Sequence, residues 1–289
     1  MPKSNFGNLP DEYRGYESSM VVIIPVPYDG TSTWIKGADL GPEAIIDASA
    51  NMELYDLETD SEIYRIGIFT DEPVTEKTTP ESMVTAVRER VKRHLAKDKF
   101  PIILGGEHSV SLGAVQALRE SGDLISVLQL DAHSDMRQEY KGSRYNHACV
   151  MARISEMCPC VQVGIRSMDF SEKARIQPEG IFFAEDIYNS TAWIEKAVTH
   201  LTERVYITID LDVFDPSVLP STGTPEPGGL LWYDVLRLLK TVCIERKIAG
   251  FDVVELCPDK NKASDFTAAK LVYKILGYIF GRIAWKRPI

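Results

Sequence analysis

Asp131-Ala132-His133-Ser134-Asp135 and Asp210-Leu211-Asp212 are two compact sets of ligating side chains, each directly after a run of β-forming residues. Along an extended segment alternate side chains leave on one face. This spacing therefore predicts that Asp131, His133 and Asp135 point one way, and that Asp210 and Asp212 do the same. Crowded carboxylates repel and raise one another's pKa, and cations between them keep them all ionised. The pattern predicts a two-metal site. His108, in Leu104-Gly105-Gly106-Glu107-His108-Ser109 after an apolar strand, offers a sixth ligand. Two imidazoles and four carboxylates without cysteine form a hard oxygen and nitrogen set suited to Mn²⁺, with Co²⁺, Zn²⁺ or Mg²⁺ also compatible. So few ligands fill two octahedra only if carboxylates bridge and solvent takes an open position. Solvent between two cations is acidified toward hydroxide near neutrality, so the expected chemistry is hydrolysis.

Those ligands need a frame that brings several strand ends together. Apolar β-rich runs alternate with amphipathic segments throughout, the pattern of a parallel sheet covered by helices on both faces. Strands are expected at Met20 to Pro25, Ile63 to Phe69, Pro101 to Leu104, Leu124 to Leu130, Cys160 to Gly164, Gly180 to Phe183, Arg204 to Ile209 and Ile248 to Leu256, about eight in all. Helices are expected at Pro42 to Asn51, Pro80 to Lys97, Ser109 to Glu120, His147 to Met157, Thr191 to Thr202, Trp232 to Arg246 and Ser264 to Trp285. Pro42 and Pro80 suit a first helical turn, and Ser264 suits an N-cap. The expected fold class is α/β: a three-layer α/β/α arrangement around a mostly parallel sheet, with residues 1–289 forming a single domain. Three longer irregular stretches, Pro25 to Gly41, Met136 to Asn146 and Phe214 to Leu231, each join a strand to a helix. They belong at the carboxyl edge of the sheet, where open α/β folds build their sites.

The 289 residues, 44% hydrophobic and 26% charged, can bury a substantial core. No apolar stretch is long enough to span a bilayer, and the first eight residues lack the apolar region of a secretory signal, so cytoplasmic residence is the default. A net charge of -10 argues against a nucleic-acid partner and mildly favours a cationic substrate. The five cysteines are odd in number and irregularly placed, which excludes an obvious disulfide framework. Cys158-Pro159-Cys160 lacks a usual zinc spacing and reads as buried thiols. His108, His133 and His147 fall beside strand ends or in rim loops, whereas His94 and His200 fall in expected helices as surface or packing residues.

The chain resembles the ureohydrolases, the arginase and agmatinase group, and within it the agmatinases. The matching segments are Gly105-Gly106-Glu107-His108-Ser109, Asp131-Ala132-His133-Ser134-Asp135, Asn146-His147-Ala148, Asp210 to Pro216, Thr222 to Gly229 and Asp252-Val253-Val254-Glu255. Pro25 to Ser32, with Gly37 and Gly41-Pro42, looks like the family's opening strand and loop. The resemblance implies two Mn²⁺ per subunit. His108, Asp131, Asp135 and Asp210 would hold one, and His133, Asp131, Asp210 and Asp212 the other, with Asp131 and Asp210 bridging. It implies that Glu255 binds the guanidinium group, that His147 shuttles protons, and that Asp135 passes a proton to the departing amine. A planar cation with forked donors fits a carboxylate, and an imidazole suits proton transfer near neutrality. Thr224 and Glu226 read as structural or supporting residues. Relatives assemble as homotrimers or homohexamers, so the same is expected here.

Substrate choice should reside after Asp135. Arginases resemble one another there in an asparagine and threonine pair that grips the α-carboxylate and amine. Here the run is Met136-Arg137-Gln138-Glu139-Tyr140-Lys141-Gly142-Ser143-Arg144-Tyr145-Asn146. The pair is missing, so agmatine, cleaved to putrescine and urea for polyamine biosynthesis, is the expected substrate. Arg137 and Arg144 are candidate substrate-binding residues and, with Lys141, favour a carboxylate-bearing competitor such as guanidinobutyrate. A zinc-dependent amide deacetylase and a catalytically silent metal-binding relative are the readings of different class. The deacetylases use fewer ligands, and a silent relative should have lost a ligand, His147 or Glu255, none of which is lost.

Overall fold

The computed structural model describes residues 5–122, 124–188 and 190–284. Eight strands form one wholly parallel sheet: β1 (Val21–Val26), β2 (Ile68–Thr70), β3 (Phe100–Gly105), β4 (Ile125–Leu130), β5 (Cys160–Ile165), β6 (Ile181–Phe183), β7 (Arg204–Asp210) and β8 (Lys247–Val254). Their order is β2-β1-β3-β8-β7-β4-β5-β6. The central strands are buried along most of their length, as expected when helices cover both faces.

Alternating residues feed two cores. Val21, Ile23, Ile102, Leu104, Leu128, Leu130, Ile207 and Val253 face one side, where α1 (Gly41–Ser49), α6 (Ala192–Thr199), α7 (Trp232–Glu245) and α8 (Ala263–Ala284) pack. Val22, Ile24, Ile103, Ile125, Val127 and Tyr206 face α2 (Pro80–Leu95), α3 (Ser111–Glu120) and α4 (Val150–Ser155) on the other. A short α5 (Ala184–Ile187) follows β6. This is the expected three-layer α/β/α arrangement.

Several boundaries differ from the sequence expectation. The apolar run Ile63 to Phe69 is not one strand: Ile63–Ile66 forms a 3-10 turn, and only Ile68–Thr70 pairs with β1. Gly67 makes the break, with a φ of 83° and a position where a Cβ would lie 2.6 Å from the Ser19 Cα. The expected helices from Ser109 and His147 begin with 3-10 turns at His108–Val110 and His147–Cys149 before α3 and α4. Ser264 lies inside the first turn of α8 rather than ahead of it, and Trp285 falls outside the described residues. Pro42 and Pro80 occupy first turns as expected, with Thr79 capping α2.

Register aligns the strand ends. Leu104 pairs with Val253, Val253 with Ile209, and Ile209 with Leu130 across four adjacent strands. The chain therefore leaves β3, β8, β7 and β4 side by side. β3 and β4, consecutive in sequence, lie on either side of β8 and β7, the kind of crossover where open α/β sheets form a crevice.

Candidate metal centre

The ligand segments leave the strands without staying extended. Asp135 has a φ of 52°, and Asp210 caps a 3-10 turn over Leu211–Val213 by accepting a hydrogen bond from the Asp212 amide at 2.9 Å. The alternating-face reason for convergence is therefore corrected: tight turns, fixed by side-chain to backbone bonds, do the aiming. Asp131 Oδ1 accepts from the His133 amide at 2.6 Å, and Asp212 Oδ1 accepts from the Ala132 amide at 3.1 Å. These bonds tie the β4 and β7 turns together.

The side chains converge. His108 Nδ1 lies 3.0 Å from Asp131 Oδ2, 3.1 Å from Asp135 Oδ2 and 3.5 Å from Asp210 Oδ2. His133 Nδ1 lies 2.9 Å from Asp212 Oδ2 and 3.6 Å from Asp131 Oδ1. Two compact ligand groups result, His108 with Asp131 and Asp135, and His133 with Asp131 and Asp212. Asp131 is common to both, and Asp210 stands beside the first.

The donors fit a pair of divalent cations. All four aspartates are buried, and among the described residues the buried His108 Nδ1 makes no hydrogen bond despite its three carboxylate neighbours. Its tautomer is fixed from behind. Thr208 Oγ1 donates to Asp252 Oδ1 at 2.7 Å, so at 2.8 Å from His108 Nε2 it accepts the ring N–H. That leaves the Nδ1 lone pair directed at the carboxylates, the state a metal ligand needs.

The electrostatics show the same demand for positive charge. Burial, then the neighbouring Asp131, pushes Asp135 up to about 7. Burial followed by Asp212, Asp131 and Glu255 lifts Asp210 well above the carboxylate range. Burial opposes the charging of His108 and His133, yet their aspartates raise both imidazoles well above the ordinary value. Burial would raise Asp131, but the two neighbouring imidazoles outweigh it and hold the carboxyl below its usual range.

His147 and Glu255 face the same cavity of about 280 Å³, which also touches Asp135, Asp210, Arg137, Tyr140 and Thr224. Glu255 follows β8 with a φ of 66°, and its Oε1 accepts from the His108 amide at 2.7 Å. Burial, followed by the nearby Glu107, raises its carboxyl well above the usual range, so an arriving cation would favour its ionised form. His147 is driven down to about 4 by burial, followed by His108 and His133, and is neutral near pH 7.

The two candidate arginines are placed differently. Arg144 is exposed, sits 3.3 Å from Glu156 and is not among the cavity-lining residues. Arg137 does border the cavity, but it lies 3.5 Å from both Asp169 and Glu172 and stacks over the Tyr140 ring at 4.6 Å. Glu226 stands 3.9 Å from His133 Nε2.

Several supporting residues escaped the sequence reading. Gln162, Gln129, Thr208 and Asp252 form a polar row across β5, β4, β7 and β8 beneath the ligands. Gln162 donates to Gln129 at 2.6 Å, and Gln129 donates to Asp131 at 2.6 Å. Their signal was partly available: Gln162 is a lone polar residue inside an apolar β-run, and Asp252 belongs to a segment that resembles the family. Arg166 donates to the Asp212 and Glu226 carbonyls, both at 2.7 Å, and so joins the β7 turn to the Thr222–Gly229 loop. Nothing in its sequence neighbourhood marks that role.

Residues 19–277 match the Arginase family. The chain belongs to that family. It is 41% identical over 266 residues to an N(1)-aminopropylagmatine ureohydrolase of Thermus thermophilus, covering 91% of each chain. It is 38% identical over 262 residues to an agmatinase of Pyrococcus horikoshii, covering 89% of this chain and 90% of that one. The solved agmatine ureohydrolase of Thermoplasma volcanium superposes with a TM-score of 0.87 at 30% identity, covering 99% of this chain and 98% of the other. This arginase-family chain is thus an enzyme of the group that hydrolyses guanidino compounds. Among its described residues no helix is long and apolar enough to cross a membrane.

Proposed function

We propose that this enzyme is a binuclear manganese hydrolase that releases urea from agmatine or an agmatine bearing a longer cationic tail. The observation that carries this reading is the double ligand group sharing Asp131, of which His133 and Asp135 line the same cavity as Glu255. His108, Asp131, Asp135 and Asp210 would hold one Mn²⁺, and His133, Asp131, Asp210 and Asp212 the other. Bound there, the pair would supply an acidified water and positive charge opposite the developing intermediate.

The chain's own residues do the rest. Glu255 orients the planar guanidinium through a forked contact. Asp135, which lines the cavity beside the other ligands, passes a proton to the departing amine. His147, neutral and at the cavity wall, exchanges protons with solvent. The products are urea and the amine left by the substrate, putrescine in the case of agmatine.

Arg137 bears on the choice of substrate. Placed between Asp169 and Glu172, its charge is answered by two carboxylates, which removes the main reason to expect a carboxylate-bearing substrate. Arg144, engaged with Glu156, gives no support to guanidinobutyrate either. A tail extended by an aminopropyl group is a second reading, favoured by relatives named N(1)-aminopropylagmatine ureohydrolase at 37% and 41% identity. Cytoplasmic residence, a homotrimer or homohexamer, and a place in polyamine formation complete the proposal.

The test is a urea-release panel with Mn²⁺ over agmatine, N(1)-aminopropylagmatine, arginine, guanidinobutyrate, guanidinopropionate and formiminoglutamate, together with metal counting. Highest kcat/KM on one of the two cationic tails and about two Mn²⁺ per chain are expected. Preference for a guanidino acid, or one zinc per chain without urea release, would overturn the reading.

A further inference from the structure

The loop after β1 reaches into the site through one hydroxyl. Thr31 Oγ1 donates to Glu107 Oε1 at 2.6 Å, accepts from the His147 amide at 3.0 Å, and lies 3.0 Å from His147 Nδ1. Glu107, fully buried, also accepts from the Thr31 and Ser32 amides on Oε2 and from Ser109 Oγ at 2.6 Å on Oε1. A hydroxyl has one proton to give, and here a carboxylate takes it. The contact with His147 therefore runs from the ring to the hydroxyl.

We propose that Thr31 is a positioning residue that fixes His147 with its proton on Nδ1 and its lone pair on Nε2, facing the cavity. Free imidazole favours the other tautomer, so the protein must impose this one. Among the described residues His147 Nε2 makes no hydrogen bond, while the Tyr140 ring stands edge-on with centroids 6.4 Å apart. Nδ1 keeps its proton through its bond to Thr31, and Nε2 is the atom able to take a proton and pass it on. The neighbouring Glu107 does for Thr31 what Asp252 does for Thr208: it consumes the hydroxyl proton so that the oxygen can only accept from a histidine. The kinetic consequence rests on the hydrolase reading above, whereas the tautomer does not.

The experiment uses the full chain with ¹⁵N-labelled histidine, loaded with Mg²⁺ as a diamagnetic probe, in wild type, Thr31→Val and Thr31→Ser. With five histidines, the His147 ring is assigned by its loss in His147→Asn. The expected long-range proton–nitrogen spectrum shows protonated Nδ1 and bare Nε2 in wild type and Thr31→Ser, reversed in Thr31→Val. Urea release should fall about 10- to 100-fold in kcat for Thr31→Val, the usual scale for a group that orients another, with KM changed less than about twofold and Thr31→Ser restoring most of the rate. Thr31→Ala gives the same comparison should the valine variant fail to fold. Wild-type His147 protonated on Nε2, or a valine variant that keeps the wild-type tautomer, overturns the assignment. The expected spectra with no urea from any guanidine would overturn the proposed hydrolase and leave the tautomer assignment supported.

Discussion

Two clusters of charge in this molecule are closed in different ways. Beside α8, Lys274 lies 3.0 Å from Asp56 and 2.6 Å from Glu58, and Lys240 lies 2.9 Å from Glu58. Two acids there meet two lysines of the same chain, and Asp56 also accepts from Thr59 at 2.8 Å. At the sheet edge four aspartates meet two imidazoles, with Glu107 and Glu255 buried close by. The first group is electrically complete and holds two helices to the loop after α1. The second has more carboxylate than its own cations answer, which is the condition for recruiting charge from outside. Buried charge alone does not mark a site; uncompensated charge of one sign does.

Substitutions in the two groups should therefore have opposite signatures. The largest effect belongs to Asp131→Asn, the shared ligand. Bound manganese and urea release should both be lost, the rate by roughly three orders of magnitude or more, since several kcal/mol of charge stabilisation go with the metals. Equilibrium metal counting beside the assay checks it, and retention of two ions would break the comparison.

Lys274→Met should leave metal content intact but lower unfolding stability by about 3–5 kcal/mol, because Asp56 is left buried without its partner. Denaturant titration measures this, and a loss of manganese with unchanged stability would contradict the division of roles. Next in size is Thr208→Val. It frees the His108 tautomer and should weaken the metal held by His108 about 10- to 100-fold without unfolding the chain.

A smaller effect is expected from acid. Glu58 is lowered to about 2: burial would raise it, but bonds from Lys274, Lys240 and Tyr278 outweigh that. A carboxylate lowered on folding stabilises the protein above its unfolded pKa, and that contribution is lost as pH falls from about 4.5 toward 2. Glu58→Gln should flatten the stability profile over that interval, modestly because the group is partly exposed and screened. Arg144→Ala should change both stability and substrate preference least, within about 1 kcal/mol for an exposed pair. A shift away from guanidinobutyrate and toward agmatine on losing either Arg144 or Arg137 would restore the role the sequence suggested for them.

Much of this was legible before the structure. Strand and helix alternation gave the layered parallel sheet, because a strand buried on both faces must be continuously apolar. The candidate ligands were legible because charged groups directly after such strands have few structural duties. Ile63 to Phe69 was misread because apolar content does not distinguish a strand from a 3-10 turn, and the break depends on how closely Gly67 approaches Ser19. The roles of Arg166 and of the Gln162-Gln129-Thr208-Asp252 row were not legible because the strands and loops that join them are distant in sequence.

Residue type and order alone determined the hard ligand set and its placement at strand ends, since these follow from side-chain chemistry and from what a buried strand excludes. Tertiary structure decided the rest. Strand order set four ends side by side, and turns rather than extended backbone aimed the aspartates. Hydroxyls from distant segments selected which imidazole nitrogen carries the proton, and acids on the β5 loop answered Arg137. Those outcomes depend on which groups meet in space, and a linear sequence specifies that only through the fold it produces.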